Sequence, residues 1–310
     1  MQIHYGLDKF IAQRPVITIG TFDGVHLGHR QVISKLQKVS EDSAGESVVF
    51  TFYPHPRIIV DSKENSLRLL TTQEEKIAIL QRLGIDHLLI YPFTEEFSKL
   101  SYDEFVKDIL VAKMHLNYLV IGYDHKFGQD RQGDFQSLKK LSLELGFKVE
   151  RLDELALDEN VVSSTKIRRA LDEGNIRKAN QYLGYQYILM GKVIEGKQLG
   201  RKIGFPTANI ETFDNHKLVP RDGVYAVRVE LKGKFYKGML NVGIRPTVNY
   251  NADNRSIEVH LFDFDEDIYQ ADIALHFVDK IREEQKFSGL EELRGQLIKD
   301  KETVLQILSK

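Results

Sequence analysis

Two rhythms of apolar and polar positions divide the chain. Up to about residue 152, short apolar runs alternate with segments whose apolar residues recur every three or four positions. Val16-Ile17-Thr18-Ile19, Val48-Val49-Phe50-Thr51-Phe52, His87-Leu88-Leu89-Ile90-Tyr91, Tyr118-Leu119-Val120-Ile121 and a stretch around Phe147–Leu152 read as strands buried on both faces. Between them, Val32, Ile33 and Leu36 predict a helix from His29 to about Val39. Thr72-Gln73-Glu74-Glu75 is a capping box that opens a helix with Ile77, Leu80 and Leu83 on one face. Ser101-Tyr102-Asp103-Glu104 repeats the device, and another helix spans about Asp134 to Leu145. Strands alternating with helices imply a parallel sheet covered by helices, with ligands beyond the C-terminal strand ends. Gly20–His29, Pro54–Arg57 and Gly122–Gly128 all follow strand ends, so they are expected to meet at one crevice.

Two short helical segments, Thr165–Asp172 and Ile176–Leu183, end at Gly184, and then the rhythm changes. Tyr225, Val227, Val229 and Leu231 alternate with Arg228 and Glu230. Ile257, Val259 and Leu261 alternate with Glu258 and His260, and Ile273, Leu275 and Phe277 repeat the period of two. Short amphipathic strands separated by Gly and Pro turns predict a small antiparallel barrel. Ser288-Gly289-Leu290-Glu291 reads as a capping box opening a C-terminal helix. The expected domains are residues 1–184 and 185–310.

Composition narrows the classes. A chain of 310 residues, 42% hydrophobic and 28% charged, fits two ordinary globular domains. With 43 basic against 45 acidic residues it lacks the cationic excess of a nucleic-acid binder, so no nucleic-acid partner is expected. Cysteine is absent, which excludes disulfides, thiolate nucleophiles and Cys-ligated metals. The first residues lack a basic segment followed by an apolar run, and no stretch approaches the ~18 apolar residues of a membrane span. No membrane partner and a cytoplasmic location are therefore expected.

The first chemical signature is Gly20-Thr21-Phe22-Asp23-Gly24-Val25-His26-Leu27-Gly28-His29 at a strand-to-helix junction. A helix N-terminus attracts phosphate through free N–H groups and its dipole. Gly20, Gly24 and Gly28 allow the backbone close to a nucleotide, with Phe22 between them. His26 and His29, three apart, share a helical face and can donate to charge on phosphoryl oxygens. Taken alone, the same residues could be two surface histidines and a turn. Ser163-Ser164-Thr165-Lys166-Ile167-Arg168 adds hydroxyls at another helix start and a guanidinium suited to phosphate; by itself it could be an ordinary polar cap.

The first segment resembles the H-x-G-H motif of the nucleotidylyltransferase superfamily, and Ser163–Arg168 resembles its S-S-T-x-I-R motif. The wording of Gly20–His26, and of Thr51-Phe52-Tyr53-Pro54-His55-Pro56, is most similar to the adenylyltransferase module of bacterial bifunctional FAD synthetases. The resemblance implies a Rossmann-like nucleotidylyltransferase domain in which the phosphate of FMN attacks the α-phosphorus of ATP. His26 and His29 would contact the phosphates, with Ser163, Ser164, Thr165 and Arg168 holding the triphosphate. Pro54, Pro56 and Asp124 would lie at the flavin. In Gly122–Gly128 the family usually has an aromatic residue where His125 stands and Arg where Lys126 stands.

The second signature, Gly200-Arg201-Lys202-Ile203-Gly204-Phe205-Pro206-Thr207-Ala208-Asn209, matches the riboflavin kinase motif and not the P-loop pattern. Gly200 and Gly204 permit close backbone approach, Lys202 could neutralise charge, and Pro206 fixes the backbone. Thr207 and Asn209 offer oxygen ligands to Mg²⁺, the cofactor implied with ATP. Asp222–Val227 and Asn241–Thr247 continue the resemblance. Riboflavin's hydroxyl must lose a proton, and Glu258 stands where the family places its catalytic glutamate. Arg282 fits a segment near the flavin, and Gln270 replaces a common Gly. The implied partners are riboflavin, FMN and ATP. Alternative readings are a nucleotidylyltransferase for another phosphorylated acceptor, or a flavin- or nucleotide-binding regulator.

Overall fold

The computed structural model describes residues 1–60, 67–123, 128, 135–153, 156–157, 160–196, 199–244 and 255–309. By internal packing the chain forms two units. One comprises residues 1–68 and 76–163, the other residues 69–75 and 164–310.

The first unit is built on six parallel strands: β1 (Gln2–Tyr5), β2 (Val16–Ile19), β3 (Ser47–Tyr53), β4 (His87–Pro92), β5 (Tyr118–Ile121) and β6 (Lys148–Arg151). Their order is β1-β4-β3-β2-β5-β6. The chain moves outward from β2 on one side, then returns to its other side at β5. The carboxyl ends of β2 and β5 therefore flank the switch point where an open α/β sheet leaves a crevice. The helices are α1 (Leu27–Asp42), α2 (Pro56–Val60), α3 (Gln73–Arg82), α4 (Glu95–Ser98), α5 (Tyr102–Glu104) and α6 (Phe135–Leu145). A π-helical segment, Phe105–Val111, continues α5. Ile17, Ile19, Val48, Phe50, Leu119 and Ile121 form one packed cluster with Phe105, Ile109, Leu138 and Leu141. Each such side chain removed from water contributes about 1.5–3 kcal/mol.

Two details differ from the expected pattern. Glu75, Lys76, Ile79 and Leu80 are the buried positions of α3, while Ile77 and Leu83 are half-buried. Two charged residues thus occupy positions where periodicity alone places apolar ones. Strand β1 lies outside the expected set, because at the sheet edge its side chains are mostly exposed and need no apolar pattern.

A short pair, β7 (Ala156–Leu157) and β8 (Asn160–Val161), precedes α7 (Ser164–Asp172) and α8 (Ile176–Leu183). Helix α8 ends at Gly184 with φ 76°, whose N–H bonds the Asn180 carbonyl. Helix α8 packs on the barrel that follows. Its strands are β9 (Tyr187–Ile194), β10 (Ala208–Thr212), β11 (Gly223–Leu231), β12 (Lys234–Ile244), β13 (Arg255–Leu261) and β14 (Asp272–Arg282). They close in the order β10-β13-β12-β11-β14-β9, all pairs antiparallel. Between β9 and β10 lies α9 (Leu199–Lys202), and α10 (Leu290–Leu308) ends the chain. Val304 and Leu308 of α10 pack with Phe205, Val224, Ala226, Met239 and Phe262.

The C-terminal cap differs from the sequence pattern. Gly289 is the N-cap and has no side-chain bond, while Ser288 bonds Glu292 through its N–H at 2.8 Å and its hydroxyl at 2.7 Å. Glu291, one residue too early, does not close the box. Gln270 adopts φ 63°, the left-handed conformation that suits the Gly common in the family.

Segment 69–75 is tied to the barrel by a buried ion pair. Lys217 Nζ donates to Glu75 Oε2 at 2.5 Å and to the Leu70 and Ile188 carbonyls, each at 2.7 Å. It also lies 4.3 Å from the centre of the Tyr187 ring. Glu75 accepts further bonds from the Thr72 and Met190 N–H groups, which with Lys217 offset part of the cost of burying its charge.

Candidate active sites

In the sheet unit, the turn from β2 into α1 is held by its own apolar residues. Phe22 and Val25 sit at φ 48° and 35°, values that side chains with a Cβ rarely adopt. Both are buried, so core packing offsets the strain. Gly24, at φ 82°, makes the remaining reversal. Gly20 N–H donates to the Phe50 carbonyl at 3.0 Å, which fastens the turn to β3.

His26 is the N-cap of α1, and its Nδ1 accepts the His29 backbone N–H at 3.4 Å. An accepting Nδ1 puts the ring proton of neutral His26 on Nε2. The His26 and His29 rings stack with centroids 3.7 Å apart and planes 17° apart. Phe22 covers His29 at 5.2 Å. Burial, then the neighbouring His26 and Lys76, hold His29 well below the usual imidazole pKa. His29 is therefore neutral near pH 7 and serves as a hydrogen-bond donor rather than as a fixed charge.

The sequence-derived residues converge in part. A Cβ at Gly28 would stand 3.9 Å from the Val162 carbonyl, so the residue preceding Ser163 lies beside the start of α1. Ser163 closes the sheet unit; Ser164, Thr165 and Arg168 lie on α7 and are counted with the barrel unit. Pro54 follows β3 and Pro56 opens α2, at the same end of the sheet as Gly20. Asp124 lies outside the described residues. Lys76 escapes a motif reading, and Asp23 and Thr51 stand in the quoted motifs without an assigned role; all three are buried. Lys76 Nζ donates to Thr51 Oγ1 at 3.5 Å, and Thr51 Oγ1 donates to the Thr21 carbonyl at 3.2 Å. A lysine on the buried stripe of α3 is the one signal that could have found them.

In the barrel unit, Gly200 is packed against the following loop. A Cβ there would overlap the Phe205 carbonyl oxygen, while Phe205 N–H donates to the Gly200 carbonyl at 2.9 Å. Gly204 turns the chain at φ 82°. This compact turn delivers Thr207 and Asn209 to the start of β10. Asn209 pairs in register with Glu258 of β13, and Glu258 pairs on its other side with Asn241 of β12. Thr207 Oγ1 donates to Glu258 Oε2 at 3.4 Å. His260 Nδ1 donates to the Pro206 carbonyl at 2.7 Å, fixing the turn from beneath. Burial lowers the His260 pKa, partly offset by that carbonyl. Lys202 belongs to α9.

Thr207 and Asn209 offer hydroxyl and amide oxygens, hard donors that fit Mg²⁺, and the Glu258 carboxylate stands beside Thr207. Among the described residues no group of three His, Cys, Asp or Glu gathers. Few protein ligands, completed by substrate phosphates, is the ordinary arrangement for this ion. Arg282 is placed in an ion pair. Its guanidinium meets Asp300 of α10 through Nε at 3.0 Å and Nη2 at 2.7 Å, which ties β14 to the terminal helix.

The FAD synthetase family matches residues 9–166, and the riboflavin kinase family matches residues 183–308. A bifunctional riboflavin kinase/FMN adenylyltransferase of Haemophilus influenzae is 39% identical over 306 residues, 98% of each chain. One from Buchnera aphidicola subsp. Schizaphis graminum is 38% identical over 298 residues, covering 96% of this chain and 95% of its own. A crystal structure of a protein described as a macrolide-efflux protein, from Streptococcus pneumoniae, is 29% identical. It covers 97% of this chain and 98% of its own, with TM-score 0.86. Among the described residues no helix is long and apolar enough to cross a membrane.

Proposed function

The chain belongs to the bifunctional riboflavin kinase/FMN adenylyltransferase family, and we propose a division of labour among its residues. The enzyme phosphorylates riboflavin to FMN and adenylylates FMN to FAD, using ATP in both steps. The barrel unit carries the first step and the sheet unit the core of the second.

For phosphorylation, Glu258 accepts the proton of the ribityl hydroxyl as its oxygen bonds the γ-phosphorus and ADP departs. Its carboxylate is half-buried on β13 and stands next to Thr207, within the motif that meets the phosphates. Mg²⁺, held by Thr207 and Asn209, would neutralise phosphate charge. The Gly200–Gly204 turn supplies backbone beside the nucleotide, and Lys202 adds a cation.

For adenylylation, a phosphate oxygen of FMN bonds the α-phosphorus of ATP and pyrophosphate leaves. The attacking phosphate is already ionised near neutral pH, so the step needs alignment and charge stabilisation rather than a base. His26 and His29 donate to phosphoryl oxygens, His29 as a neutral ring. Gly20, Phe22, Gly24 and Gly28 shape the turn around the nucleotide. Ser163, Ser164, Thr165 and Arg168 bind the triphosphate, and Pro54, Pro56 and Asp124 border the flavin. Arg282 acts through the β14–α10 link, since its guanidinium is committed to Asp300.

The observation that carries this assignment is the presence of two unlike donor sets in two separate units: a stacked imidazole pair at a helix start, and a Thr–Glu–Asn oxygen cluster on a barrel strand pair. The test is chromatography of flavins formed from riboflavin, ATP and Mg²⁺, with the His29→Ala variant in parallel. Wild type should form FMN and then FAD, and His29→Ala should stop at FMN. Loss of both products in folded His29→Ala would refute the division.

A further inference from the structure

Lys76 is a buried cation that no part of the motif reading employs. It is 6% exposed. Lysine is rarely buried to this degree unless it is paired, because removing an ammonium from water is costly. A Leu or Met at this position would continue the buried stripe of α3 with Ile79 and Leu80. The ammonium instead reaches the β2–α1 turn from below. It donates to Thr51 Oγ1 at 3.5 Å, and Thr51 in turn holds the Thr21 carbonyl at 3.2 Å. Buried Asp23, two residues further along the same turn, interacts electrostatically with it. The charged and titratable groups acting on His29 are His26, at the head of its own helix, and Lys76, from α3; the one acting on Lys76 is Asp23. The buried Nδ1 of His29 has no hydrogen-bond partner, so its state is set by burial first and by these charges next, rather than by a fixed bond.

We propose that Lys76 is a positioning residue for adenylyl transfer: its ammonium fastens the Gly20–His29 turn through Thr51 and Asp23 and so holds the stacked histidines in place. The proposal rests on the reading that His26 and His29 face the phosphates. A protonated His29 would place a charge in a buried site beside the Lys76 ammonium and strain the stack that presents ring N–H donors. A positive charge beside His29 raises the cost of that protonation. Burial also brings the pKa of Lys76 itself down to about 8. The device therefore has two limits. At low pH His29 takes a proton, and above about pH 8 Lys76 gives up the charge that anchors the turn.

The test uses the full-length enzyme with FMN, ATP and Mg²⁺, following FAD formation against pH in wild type, Lys76→Met and Lys76→Arg. Misplacement of the turn in Lys76→Met should lower kcat for FAD formation by about 100-fold. Riboflavin phosphorylation by the same preparations should stay at the wild-type rate. The wild-type profile should fall as pH rises through about 8. Lys76→Met should lack that fall, and its acid limb should move to higher pH, because a lost positive neighbour makes His29 easier to protonate. Lys76→Arg, permanently charged, should restore much of the rate and carry the alkaline fall beyond the measured range. Proton NMR of the His29 ring, assigned with His29→Gln, reads the same shift directly.

An unmoved His29 titration in Lys76→Met, with both limbs of the profile in place, overturns the proposal. If Lys76→Met does not fold, Lys76→Arg decides: an alkaline limb still at about pH 8 overturns it. Intact FAD formation by His29→Gln would instead overturn the reading of the histidines, whereas the NMR shift scores Lys76 independently of activity.

Discussion

Replacing Glu258 by Gln removes a proton acceptor and leaves the strand almost untouched. The side chains have the same shape, and Glu258 is half-buried on β13 between its register partners Asn209 and Asn241. The contact with Thr207 Oγ1 is long, at 3.4 Å, and Gln can still accept it. The stability change should therefore stay within about 0.5 kcal/mol, the usual range for a surface substitution that breaks no network. The catalytic loss is of another size. A positioned general base is worth about 10²–10⁴-fold, which corresponds to roughly 2.7–5.4 kcal/mol of transition-state stabilisation. Glu258→Gln should accordingly lose FMN formation by that factor, mostly in kcat, with an unchanged melting curve and an unchanged rate of FAD formation from supplied FMN. The assay is flavin chromatography at saturating ATP and Mg²⁺, with far-UV circular dichroism for folding, since the chain has no Trp to report it. FMN formation within about threefold of wild type would show that Glu258 is not the base, because even the weakest such role is worth about 100-fold. A parallel fall in FAD formation would show that the effect is not confined to the barrel site.

Lys217→Met should destabilise the protein by about 3–5 kcal/mol, because it strands a buried carboxylate and leaves two carbonyls without their donor. In urea unfolding the loss should shrink as pH falls, since burial already raises the Glu75 pKa and the stranded group takes a proton; a loss below about 1 kcal/mol at pH 7 would contradict this. Gly200→Ala should abolish riboflavin phosphorylation and leave FAD formation from FMN intact, because its Cβ would overlap the Phe205 carbonyl oxygen and displace the turn that carries Thr207. Normal kinase activity in that variant would mean that the turn can shift without moving the site. Burial keeps the folded pKa of His4, His29 and His260 below 6.5, so each contributes stability fully above that value and loses it as pH falls below it. Urea midpoints should drop below pH 6.5, and His29→Gln should flatten part of that drop; a midpoint independent of pH in this window would show that the histidines charge freely in the folded state.

Much of the candidate sites was legible because phosphate chemistry depends on local sequence. His26 and His29, or Thr207 and Asn209, are close in the chain, and a strand end, a turn and a cap position them without distant help. Glu258 was legible through the family resemblance, and the period of two adds only that it points away from Ile257 and Val259. Lys76 was not, since a charged residue within a helical pattern looks like a solvated one until its burial is known. Arg282 fits a flavin segment by position, and its pairing with Asp300, which arrives from α10, shows only in the fold. Strands β1, β9, β10 and β12 carry weaker signals: β1 is an exposed edge, and glycines and charges interrupt the alternation of β12.

What the sequence determined by itself is whatever depends on neighbours along the chain: alternating elements, capping boxes at Thr72 and Ser101, the helix stop at Gly184, and the two phosphate turns. These follow from backbone sterics and from hydrogen bonds spanning a few residues. The tertiary structure alone decided the strand order around β2, and the order and register within the barrel that set Glu258 opposite Asn209. It also decided which charges are buried. The reason is that register and burial come from contacts between residues tens to hundreds of positions apart, and the cost of burying Lys76 or Lys217 is met only by partners that folding brings to them.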